Sequence, residues 1–366
     1  MPETRSRPFS CAPSAGRVIA AALAFLGAAS SAVLSQTKSS PAGEDFAQPA
    51  PMAMESLLLD AAAVGDGPRR RIVVVGERGH ILLAMSTPEM ARQYGAWKQV
   101  KVPTTVLLTG VAAAAGNKLW AVGHDALILH SADGGETWTK QFSAPERGAP
   151  LLDVWFENAT TGWAVGGYGL ALYTKDGGKT WEKRDIDDQE RHLYAVTAGA
   201  DGALYVAGET GALFRSADKG ETWDELESPY KGSYFGLLAL REGPLLVFGM
   251  RGQVYRSSDQ GQTWRQIETK TVASLTGGWQ GADGRVIIVG VSGTVLDSAD
   301  AGQSFTSRNR PGRRAFAGVV EAEAGNFLAV DVRGVEPLNL PGGPRMPGPQ
   351  RVIMMPEVPA KAPAAK

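Results

Sequence analysis

The chain is predicted to be all-β, a seven-bladed β-propeller of four-stranded antiparallel blades, and three observations predict it. One acidic phrase recurs: SADGGETW at Ser131, TKDGGKTW at Thr174, SADKGETW at Ser216, SSDQGQTW at Ser257 and SADAGQSF at Ser298, in steps of 43, 42, 41 and 41 residues. A second phrase precedes each copy: LWAVGHDALILH, GWAVGGYGLALY, LYVAGETGALFR, LLVFGMRGQVYR and VIIVGVSGTVLD. Helical periodicity is absent from the repeated region, where short apolar runs are cut by Gly, Asp and Asn clusters, a strand-and-hairpin signal. A four-stranded unit of about 40 residues, repeated, closes into a ring that leaves only short protected edges.

The elements follow in chain order. Arg5, Arg7 and Arg17 precede the apolar run VIAAALAFLGAASSA, Val18 to Ala32, which ends in small residues. A basic start, a run too short to span a bilayer comfortably and a small-residue end predict an export signal over 1–32. Residues 33–55 form a flexible leader, and 56–340 hold the propeller. The second phrase also occurs without a good box at IVVVGERGHILLAM from Ile72, and decayed at FLAVDVRGVEPLNL from Phe327, which brings the units to seven. In the first unit only Ser86 and Trp97 survive of the box, yet a hairpin is expected there. Each unit reads as four strands, as in LLDVWFE, GWAVG, LALYT and, past the box, TWEKRD. The proline-rich tail, 341–366, is expected to be mostly disordered, with RVIMM its one strand-like stretch. Either that stretch or a segment before Ser56 closes the ring. Joining the two ends resists unzipping and favours the second.

The recurrent acids have a structural explanation. Ser131 and Asp133 can accept backbone N–H bonds within their own turn. Gly135 supplies a positive φ, and Trp138 opens the fourth strand and packs on the blade. The same roles fall to Asp176, Gly178 and Trp181; to Ser216, Asp218, Gly220 and Trp223; to Ser257, Asp259, Gly261 and Trp264; and to Ser298, Asp300 and Gly302.

Composition narrows the function classes. A net charge of −1 gives no reason to expect nucleic acid as a partner. The single cysteine, Cys11, lies ahead of the signal's apolar run, so the exported chain has no thiol, disulfide or zinc–thiolate site. His80, His124, His130 and His192 show no ligand spacing, and no metal or cofactor is expected. No phosphate loop, nucleophile elbow or dinucleotide fingerprint occurs in a suitable context, so no catalytic residue is assigned.

Binding is expected on the face opposite the boxes, where turns between second and third strands meet the blade connections. That face carries Arg78, Tyr168, Arg251 and Arg333 on turns, and Arg308, Arg310, Arg313 and Arg314 in the run RNRPGRR. Arg and Tyr offer large area with directional bonding, as at interface hot spots. The arginine run suits an acidic peptide, a carboxylate terminus or a phosphate. Glu77, Asp125, Glu209 and Tyr168 on the same face keep an alternative open, a sialidase-like glycoside hydrolase or a glycan-binding lectin.

The phrase GWAVGGYGLALYTKDGGKTW resembles the photosystem II stability/assembly factor family, whose repeats read GWAVG-x-x-G-x-x-x-x-T-x-DGG-x-TW. The likeness runs from about Ser56 to Gly334 and is strong in five of seven units. It implies an exported seven-bladed propeller without catalytic activity that holds a membrane-protein or envelope-complex partner during assembly. It further implies a monomer, at most peripheral to the membrane, in the periplasm or, in an oxygenic host, the thylakoid lumen. The family contacts its partner through an arginine-rich surface; the arginines named above are placed by geometry alone. The Arg-Ile-Pro phrase of sialidases is absent.

Overall fold

The structure, a computed structural model, describes residues 45–85 and 96–341. Within them the chain forms seven antiparallel sheets in strict chain order, six of four strands and a last one of three. Blade 3 is representative, with strands Leu151–Phe156, Gly162–Gly166, Ala171–Thr174 and Glu182–Arg184. The first strands, from Leu58–Val64 in blade 1 to Phe316–Glu323 in blade 7, lie side by side around the axis, the seventh against the first. The second strands are buried along their whole length apart from Arg71 and Lys118, which open those of blades 1 and 2, as the run GWAVG requires of a strand sandwiched between two neighbouring blades. Apolar clusters between successive blades form the core, one per gap.

The glycine closing each second strand has a specific cause. A Cβ on Gly166 would stand 2.0 Å from the Pro150 carbonyl oxygen, which the next N–H, that of Gly167, meets at 2.8 Å. The same bond recurs in the first six blades, from Glu77 to Leu57, His124 to Leu107, Glu209 to His192, Met250 to Ser233 and Val291 to Ser274. It ties each turn between second and third strands to the blade connection beside it. In blade 7 the position is Asp331, fully buried, and Arg314 grips it: Nη2 donates to Oδ1 at 2.6 Å and Nε faces Oδ2.

The expected closure by a shared strand is not seen among the described residues. Among the described residues nothing pairs with the outer edge of the third strand of blade 7, Gly334–Leu338. The segment before Ser56 instead forms a single turn, Ala53–Glu55, which packs on that strand, while Ala47 N–H bonds the Val102 carbonyl at 2.9 Å in blade 1. Part of the leader is therefore built into the fold. The seam is closed by apolar packing of Leu58, Ala61, Val74 and Val320, and by Arg70 donating to the Glu321 carbonyl at 2.7 Å. The export signal, the expected hairpin at 86–95 and the RVIMM stretch lie outside the described residues. Among the described residues no helix is long and apolar enough to cross a membrane.

Candidate functional site

The five boxes bind their own acids. In each, the leading hydroxyl (Ser131, Thr174, Ser216, Ser257, Ser298) donates to the carboxylate at 2.7 to 2.9 Å and accepts the N–H of the glycine four positions on at 2.7 to 2.9 Å. The carboxylate also accepts an N–H and a hydroxyl from the residue four positions on, the hydroxyl at 2.5 to 2.6 Å. These bonds hold Asp176, Asp218 and Asp300 at a pKa of about 2, and Asp133 and Asp259 below the usual carboxylate range. Trp138 is buried and donates from Nε1 to the Gly135 carbonyl at 3.0 Å. Gly178, Gly220, Gly261 and Gly302 are buried against side chains of the neighbouring blade, Gly220 against Trp163. The boxes are hairpins whose acids already have their partners.

The opposite face is built differently. Six of its turns place a non-glycine residue at the tip in the left-handed region, Arg78, Asp125, Tyr168, Thr210, Arg251 and Ser292, with φ between 52° and 60°, and the residue after each is left-handed too. Arg78, Arg251 and Tyr168 are exposed at these tips, Tyr168 by 48%. Arg333 is exposed on the corresponding hairpin of blade 7, beside Val332 at 42%. Arg78, Arg251, Arg313 and Arg333 form no side-chain ion pair with another described residue.

The run RNRPGRR is not a free cationic patch. Arg308 donates to Asp297 at 3.2 Å, Arg310 meets Glu336 at 3.4 Å and the Pro337 carbonyl at 3.0 Å, and Arg314 holds both Asp331 and Glu336. Arg310 and Arg314 latch the blade connection to blade 7, Arg308 pairs within blade 6, and among the arginines of the run Arg313 is left exposed without a side-chain ion pair to a described residue. Two of the three acids that kept a hydrolase reading open, Glu77 and Glu209, are also engaged. Glu77 accepts the Leu57 N–H at 3.2 Å, and Glu209 accepts that of His192 at 3.2 Å. Tyr234, which opens the first strand of blade 5, is wholly buried, with its hydroxyl 3.1 Å from that of Ser228.

Between the turns the axis opens into a cavity of about 600 Å³ lined by the first strands. Its wall is apolar and aromatic, with Leu57, Leu107, Trp155, Phe235 and Trp279, and it reaches the surface at Val332. An aromatic file leads inward from the rim: Tyr168 to His192 at 4.9 Å, His192 to Tyr194 at 6.2 Å, and Tyr194 to Phe235 at 5.2 Å. His192 Nδ1 accepts the Tyr168 N–H at 2.9 Å and fixes the tip. Two acids that sequence reasoning passed over, Asp60 and Asp153, also line the cavity. Desolvation pushes Asp60 up to about 7 and Asp153 to about 6, and the charge of Asp153 adds to the rise at Asp60. The signal was present: an acid interrupts the apolar first strands LLLDAAAV and LLDVWFE. Among the described residues no group of His, Cys, Asp and Glu is placed to hold a metal.

The comparisons with known proteins fit this architecture. Photosystem II assembly protein Ycf48 of Synechococcus sp. (strain JA-3-3Ab) is 37% identical over 163 residues, 43% of this chain and 48% of the relative. The chain thus spans about half the length of the curated relative it matches. A solved structure described as YCF48 bound to a D1 peptide superposes with a TM-score of 0.62 at 15% identity, over 77% of this chain and 92% of the other. A virginiamycin B lyase from Staphylococcus aureus shares the fold at a TM-score of 0.58 and 15% identity, over 67% of this chain and 85% of the other. Architecture alone therefore does not separate binder from enzyme. The family described as Photosynthesis system II assembly factor YCF48 matches residues 144–335, more than half of the sequence, and the chain belongs to that family.

Proposed function

We propose that this protein is a non-catalytic, exported scaffold that docks a segment of a membrane-protein partner on the face opposite the boxes. One observation carries the reading: Arg78 and Arg251, exposed and without ion partners among the described residues, and Tyr168 sit on left-handed turn tips, on the face where an apolar cavity reaches the surface at Val332. Left-handed non-glycine residues are strained, and strain concentrates where a side chain must be presented. An extended segment bearing a carboxylate and an apolar side chain matches this surface. The arginines take the carboxylate, and Tyr168 and the cavity mouth take the apolar group. Arg78, Arg251, Arg313 and Arg333 are the contact arginines of this reading, whereas Arg310 and Arg314 serve by holding blade 7 and Arg308 by pairing within blade 6. Family membership supports assembly work, and the related structure solved with a D1 peptide makes such a peptide the first probe. The same chemistry serves a partner in the periplasm or in a thylakoid lumen.

The test is fluorescence anisotropy with a labelled D1 peptide, beside capture of partners from detergent-solubilised membranes. Replacing Arg78, Arg251 and Arg333 together by Glu should weaken binding at least tenfold, with the melting temperature held. Undiminished binding would remove this face from consideration.

A further inference from the structure

The cavity wall holds a second chemistry that the rim does not. Asp60 lies on the first strand of blade 1, and its Oδ2 accepts the Val111 N–H of blade 2 at 2.9 Å. Asp153 lies on the first strand of blade 3, and its Oδ2 accepts the Val196 N–H of blade 4 at 2.9 Å. Each thus ties one blade to the next, and so do two threonines elsewhere in the ring. Thr109 donates to the Leu151 carbonyl at 2.6 Å, and Thr276 to that of Phe316 at 2.6 Å. Blades 4, 5 and 7 place Ala195, Gly236 and Gly318 where the acids stand, and the ring closes there too. The inter-blade tie therefore needs no carboxyl group.

A carboxylate in an apolar channel is costly unless paired. Neither Asp60 nor Asp153 has a cationic partner among the described residues. Two backbone N–H bonds each leave lone pairs on the carboxylate oxygens unused. The surrounding wall supplies aromatic faces, Trp155, Tyr194, Phe235 and Trp279. Aromatic faces and carboxylates together attract an organic cation, and a cavity of about 600 Å³ falls in the range of small-molecule sites.

We propose that the axial cavity is a binding site for a small organic cation, an ammonium group carried on an aromatic or alkyl body, with Asp60 and Asp153 as its counter-charges. The ammonium sits between the two carboxylates and the apolar body lies against the aromatic wall. This site is separate from the rim arginines, whose charge would repel the same ligand, so it stands or falls apart from the docking reading.

The experiment titrates the folded protein at pH 8 and low salt with three probes of one shape: 4-phenylbutylamine, 4-phenylbutanol and 4-phenylbutyrate. Calorimetry should show the amine binding at least tenfold more tightly than the alcohol, and the acid most weakly. Amide shifts should centre on Gly236 and Gly277 of the cavity wall. The double variant Asp60→Asn, Asp153→Asn should bind amine and alcohol alike. Equal affinity for the three probes, no binding at millimolar concentration, or shifts confined to the rim would overturn the assignment. Should the double variant fail to fold, the three-probe comparison on the unaltered protein decides by itself.

Discussion

Arg251 is the residue at which the proposed docking role and stability are set against each other most directly. Its φ of 55° lies in the left-handed region, where an L side chain costs about 1 kcal/mol relative to glycine. Arg251→Gly should therefore raise stability by about 0.5–1 kcal/mol in urea melts, while weakening capture of the partner segment. A substitution that lowers both would mean the side chain packs rather than presents. Asp133→Ala should behave in the opposite way. It removes the bonds from Thr137 and Ser131, costs on the order of 1 kcal/mol, and leaves partner binding unchanged. The role of the box acids was legible in the sequence because it is local: hydroxyl, acid and glycine at fixed spacing form one turn. The engagement of Arg314 was not, since its partner Asp331 lies 17 residues away and replaces a glycine only in the last unit.

At the scale of the element, each second strand ends where the next carbonyl leaves no room. Gly166 has extended backbone that any residue adopts, so the obstacle is contact alone. Gly166→Ala should cost at least about 2–3 kcal/mol and abolish the Gly167 to Pro150 bond, seen as lost amide protection at Gly167. Retained protection would show that the connection can shift aside. The repeat made these strands and their order readable, since apolar runs and turn signals recur with one period. The docking of Ala53–Glu55 on the last blade was not readable, because packing between distant segments leaves no local pattern. The cavity acids were visible as letters, but their setting was not. Only ring closure puts the first strands around a common axis.

For the whole molecule, the two sets of acids set opposite limits in pH. Box acids with pKa values held near 2 contribute stability that is present above about pH 4 and lost as pH falls toward 2. Asp60 and Asp153 run the other way. Their folded values, about 7 and about 6, exceed the ordinary 3.8, so the folded state binds their protons more tightly than the unfolded chain does. The stability this confers is full below about pH 4 and disappears as pH rises through 6 to 7. Melting temperature should peak at about pH 4–5, and Asp60→Asn should flatten the alkaline limb. A curve rising from pH 5 to 8 would contradict the desolvation of these two carboxyl groups in the cavity wall.

The seam between the last blade and the first carries no shared strand among the described residues, only apolar packing and the bond from Arg70. Pulled by its two ends, such a ring has one preferred tearing line. Under tension it would open there first and then surrender its sheets one after another, a staircase of ruptures rather than a single break.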